Sequence, residues 1–106
     1  GAFQQKSKAI TKKALALNPK HIEARYALIT LNLRLPGFLG GSEKKALQYA
    51  AEIMTLSKVD GYLAYGIIDE YYERFEKAEQ NYIKANEIGN SKTTLQKLKD
   101  LKKKSP

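Results

Sequence analysis

Few residues in this chain of 106 are of the kinds that perform covalent chemistry. There is one histidine, His21, and no cysteine. No set of nucleophile, base and orienting group can be assembled from them. The same count excludes disulfides and thiolate metal sites. His21 follows Pro19-Lys20 and reads as a surface residue in a first helical turn. Asp69, Glu70, Glu73 and Glu76 form an acidic neighbourhood in which Asp69 and Glu73 share a helical face. A divalent cation is one use for that face, and a solvated surface is the simpler one. Gly40-Gly41-Ser42, with Lys44 and Lys45 close behind, would offer free backbone N–H groups to an anion. Nucleotide-binding loops place Lys and Ser in the opposite order, so the stretch reads as a linker with a capping serine. No catalytic residue, metal site or cofactor is expected.

The remaining chemistry is that of recognition. Tyrosines stand at 62, 65, 71, 72 and 82, on more than one side of a helix, so some must face outward. Phe38-Leu39 puts two apolar residues in a glycine loop. They either fold back on the core or give a partner a point of contact. Lys97, Lys99, Lys102, Lys103 and Lys104 make the last stretch basic. It reads as a solvated helix, with contact to acidic partners, phosphates or an anionic membrane surface as the other use. It has no arginine for bidentate base reading and no aromatics for stacking, so nucleic acid is not the expected partner.

The elements that must position these residues follow from composition and period. Apolar residues make up 42%, enough for one modest core. No apolar run approaches the ~18 residues of a membrane-crossing helix. The net charge of +8 is uneven: residues 1–20 carry +5, residues 91–106 carry +5, and residues 21–90 carry −2. A uniformly basic nucleic-acid binder would not segregate its charge in this way. The chain starts with Gly rather than Met, and a longer natural protein is expected.

Six helices are predicted and no strand. The first spans about Phe3 to Leu17, with Phe3, Ile10, Ala14 and Leu17 on one face. Asn18 caps the second, about Pro19 to Arg34, whose inner face is Ala24, Ala27/Leu28, Leu31 and Leu35. Pro36 to Ser42, with one proline and three glycines, is a break without regular structure. Ser42 caps a third helix, Glu43 to Leu56, with Ala46, Ala50, Ile53 and Met54 inward. A turn at Ser57 to Asp60 leads to the fourth, about Gly61 to Tyr72. The fifth runs from Phe75 to Ile88 and presents Phe75, Ala78, Tyr82 and Ala85. Gly89 is expected in a left-handed terminal position, with Ser91 capping the next helix. The sixth, Lys92 to Lys104, carries Leu95, Leu98 and Leu101 on one face.

Helix pairs recur. The unit endings at Ala14, Ile53 and Ala85 lie 39 and 32 residues apart. Ala14-Leu15-Ala16-Leu17-Asn18-Pro19, Tyr62-x2-Tyr65-Gly66 and Ala78-x3-Tyr82 with Ala85 resemble the tetratricopeptide repeat (TPR) family, whose period is about 34 residues. The resemblance covers roughly Ala14 to Asn90. Asp69 stands where the family has tyrosine, Glu73 where its turn has glycine, and Ala50 where an aromatic is usual. The resemblance implies an all-α fold, antiparallel hairpins stacked as a short right-handed α-solenoid. Residues 1–18 would be a half repeat, 19–58 a repeat with a loop insertion at 36–42, 59–90 a repeat, and 91–106 a capping helix with a basic tail.

In that family the first helix of each repeat lines a concave surface. Carried over, the resemblance implies a groove of Tyr26, Thr30, Leu33 and Arg34 with Leu63, Ile67, Glu70 and Tyr71. The family's terminal-carboxylate clamp is not expected, because Tyr26, Thr30 and Ala64 occupy its places. The function implied is capture of a peptide or partner helix, without catalysis. Self-association through the uncovered face of the first helix, and polyanion binding by the basic ends, are the alternatives.

Overall fold

Local signals decide where each helix begins in the computed structural model, which describes residues 2–39, 41–89 and 92–104, with side chains from residue 9 onward except that of Leu39. Among the described residues there are six α-helices and no strand: α1 Ala2–Leu17, α2 Ile22–Arg34, α3 Glu43–Leu56, α4 Lys58–Tyr71, α5 Phe75–Ile88 and α6 Lys92–Lys104. Ser42 caps α3 by accepting from the Lys45 N–H at 3.2 Å.

Two helix starts differ from expectation. Asn18 does not cap α2, because its side chain accepts from the Lys20 N–H and closes a local turn. His21 takes the role instead, its Nδ1 accepting from the Ala24 N–H at 3.0 Å. The expected turn of four residues before α4 shrinks to Ser57. That one residue ends α3, its N–H donating to the Ile53 carbonyl, and starts α4, its hydroxyl accepting from the Asp60 N–H.

Glu73 joins α4 to α5 in the left-handed region, at φ 59. The Arg74 N–H donates to the Asp69 carbonyl and the Glu73 N–H to that of Glu70. This is the Schellman pattern, which usually places glycine at the left-handed position. Gly89, expected to be left-handed, is extended at φ −136, and the cap expected at Ser91 lies outside the described residues.

Pairings across the helices fix their directions. Val59 meets Gly89, Gly66 meets Tyr82, and Asp69 meets Asn81, so α4 and α5 run antiparallel. Arg25 with Glu52, and Asn32 with Ser42, give the same relation for α2 and α3. Each helix packs on the next, and α2 also packs on α4. Tyr26 donates to the Asp60 carbonyl at one end of α2 and α4, while Arg34 and Tyr71 share a hollow at the other. These two helices therefore run parallel.

The core has two centres. Ile29, Leu33, Ala46, Ala50, Ile53, Ala64 and Ile68 join α2, α3 and α4. Leu63, Ala78, Tyr82, Ala85 and Leu101 join α4, α5 and α6. Tyr82 is fully buried, and its ring lies where a Cβ on Gly66 would sit. Alternation of small and aromatic residues on α5 thus lets α4 come close.

Other faces match expectation only in part. On α2 and its C-cap, Ala24, Leu28 and Leu35 are buried as expected, joined by Ile29, Asn32 and Leu33, while Leu31 is half-buried and Ala27 is exposed. Inside, the Asn32 Nδ2 donates to the Leu28 carbonyl at 2.8 Å, while its buried Oδ1 has no hydrogen-bond partner among the described residues. On α6, Thr94, Leu98 and Leu101 turn inward while Leu95 is exposed. On α1, Ala14 is half-buried but Ile10 and Leu17 stand exposed at 70% and 80%. Phe3, placed with them, has its side chain outside the described residues.

Candidate functional site

An open hollow of about 570 Å³ lies between α2 and α4. Thr30, Leu33 and Arg34 line it from α2; Ile67, Glu70 and Tyr71 line it from α4. Six of the eight groove residues expected from sequence thus meet around one space. Leu33 is nearly buried and belongs to the core as well, so the floor is rigid and apolar. Thr30 spends its hydroxyl on the Tyr26 carbonyl at 3.1 Å. Tyr71 is half exposed, its ring edge-on to Tyr72 at 5.2 Å. Arg34 is exposed and makes no ion pair among the described residues.

The other two expected groove residues lie elsewhere. Tyr26 is a strut between helices: its hydroxyl donates to the Asp60 carbonyl at 2.6 Å, and its ring packs on both core centres. Burial, with the Asp60 carboxylate beside it, pushes its phenol well above the ordinary tyrosine range. Leu63 is buried in the second core centre, one turn too far from the hollow to face it. Tyr26 is thus tied to the N-terminal end of α4, and Leu63 packs with α5 and α6 instead of facing the hollow.

Three residues complete the hollow without having been expected there: Glu73 in the turn, Phe75 at the start of α5, and Lys104 at the end of α6. Lys104 Nζ lies 2.6 Å from Glu70 Oε2. The other oxygen of Glu70 accepts from the Tyr82 hydroxyl at 3.0 Å. Hydrogen bonding to Glu70 raises the Lys104 ammonium above its usual range. Burial, followed by the Glu70 charge, pushes up the Tyr82 phenol. Lys104 stands 34 residues after Glu70, and only its place in a lysine-rich last helix marked it in the sequence.

The acidic neighbourhood does not converge on one point. Asp69 accepts from Arg74 Nε and from Asn81 Nδ2, both at 2.9 Å, on separate oxygens. Arg74 extends to Glu43 at 2.9 Å and lies over the Tyr72 ring. Glu70 faces the hollow, while Glu73 and Glu76 are exposed. His21 is consumed by its capping role.

In the glycine loop, Gly37–Leu39 forms a short 3-10 turn where no regular structure was expected. The Gly41 N–H donates to the Pro36 carbonyl, and a Cβ on Gly41 would overlap the Leu35 carbonyl oxygen. Phe38 does not fold back on the core; it is 87% exposed. Leu39, expected beside it, has its side chain outside the described residues. Comparison with protein-family models, curated proteins and solved structures finds no match.

Proposed function

We propose that the chain is a protein-interaction module of the TPR type that receives a peptide or partner helix in the hollow between α2 and α4 and performs no catalysis. The observation that carries this reading is the meeting of Leu33, Ile67 and half-exposed Tyr71 beside exposed Arg34. A rigid apolar floor, an aromatic rim and an arginine are the makings of a binding hot spot. The hairpins and the parallel α2 and α4 support the family reading, as do helix starts at residues 58 and 92, which are 34 apart. On this view Ala78 to Ala85 is structural, Phe75 closes the end of the hollow, and α2 and α4 present the site.

Affinity capture from source cells, read by mass spectrometry, tests the reading. Substituting Arg34→Ala and Tyr71→Ala together should abolish specific capture without loss of helicity. Retention of the same proteins by the double variant would rule out the hollow as the site.

Exposed Ile10 and Leu17 on α1 favour self-association as a second reading. Sedimentation velocity over a wide concentration range decides it: a monomer throughout excludes a homo-oligomer.

A further inference from the structure

Four charged residues line the hollow: Arg34, Glu70, Glu73 and Lys104. They differ in how firmly they belong to it. Glu70 is built into the wall, its side chain 19% exposed and one oxygen held by the buried Tyr82 hydroxyl. Lys104 reaches the second oxygen from the last residue of α6, with a side chain 58% exposed. An ion pair so exposed, at a helix end that frays, is held weakly. With Lys104 set aside, the two carboxylates of Glu70 and Glu73 outnumber the single cation Arg34. Tyr71 and Phe75 add aromatic rings, whose faces attract cations. The space that Lys104 reaches into is therefore suited to a cation, and the chain's own lysine is a resident that another can replace.

We infer that the hollow takes a basic side chain, a lysine or arginine of the partner peptide, which displaces Lys104 from Glu70 while an adjoining apolar residue of the peptide covers Leu33 and Ile67. This rests on the groove reading above. The end of α6 then acts as an internal competitor that weakens binding without closing the site. An acidic segment is disfavoured, because a carboxylate at Arg34 would also face Glu70 and Glu73.

A displayed library of short random peptides, selected on the wild-type chain, provides the test. Enriched peptides are then measured against Tyr71→Ala, Glu70→Gln and Lys104→Gln. Glu70→Gln keeps an oxygen for the Tyr82 hydroxyl, and Lys104 is itself exposed at the end of α6, so both variants fold, as circular dichroism will verify. Peptides that depend on Tyr71 should be enriched in Lys or Arg. Glu70→Gln should weaken them about tenfold, and Lys104→Gln should tighten them about threefold. Tyr71-dependent peptides that are acidic or neutral and indifferent to Glu70→Gln would overturn the basic occupant and leave the groove reading standing. If no enriched peptide depends on Tyr71, the groove reading falls and this inference with it.

Discussion

Glu73 holds a left-handed conformation that costs a side chain with a Cβ roughly 1 kcal/mol or more. Because the Schellman hydrogen bonds around it need that conformation, glycine suits the place better. Glu73→Gly should therefore raise stability by about 1 kcal/mol, seen as a higher midpoint in urea unfolding. The converse holds at Gly66, where the Tyr82 ring fills the Cβ position. Gly66→Ala should lower stability by about 2 kcal/mol or more, since a fully buried ring has nowhere to move. Tyr82 also sets a pH limit. Burial and Glu70 raise its folded pKa above the ordinary 10.0. Its neutral form stabilises the fold fully below the unfolded pKa, and that contribution is lost as pH rises above it. Alkaline titration followed by circular dichroism should show wild-type stability falling above pH ~10, and Tyr82→Phe falling less steeply.

Capping decides the next level. Ser57 alone separates α3 from α4, and its hydroxyl satisfies the Asp60 N–H. Ser57→Ala should cost about 1 kcal/mol, measured by thermal or urea unfolding, whereas Thr retains the acceptor and most of the stability. The hollow-lining hydroxyl of Thr30 is spent inside α2, so Thr30→Val should leave folding nearly unchanged. Where composition gave a single capping signal, helix bounds were legible: α3 from Ser42, and α5 from its alternating face. Where two signals competed they were not. Asn18-Pro19 suggests a helix start, but the asparagine satisfies a nearer N–H and leaves the cap to His21. The faces of α2 and α6 were read only in part, because their leucines occur on several sides. Only tertiary contact selects Leu28 over Leu31, or Thr94 over Leu95. The family resemblance, not period, named the eight groove residues, six of which line the hollow. It misplaced Tyr26 and Leu63, which are taken by contacts elsewhere: a hydrogen bond to the Asp60 carbonyl and the core shared with α5 and α6.

Across the whole molecule, the helices form a chain of neighbours in which α2 and α4 lie parallel and open at one end. The basic residues of 1–20 and 91–106 belong to the outer helices, apart from Lys20 in the turn after α1, so the near-neutral middle presents the hollow. Lys104 is the exception, reaching Glu70 from the end of α6. The self-association and polyanion readings use other surfaces: Ile10 and Leu17 on α1, and Lys99, Lys102 and Lys103 on α6. These surfaces are distinct enough for one experiment to separate them. Hydrogen–deuterium exchange of the chain with and without a captured partner gives the most direct test of the site. Binding in the hollow predicts new protection at residues 30–34 and 67–75. Protection confined to the outer face of α1, to the loop around Phe38 or to the lysines of α6 would contradict it.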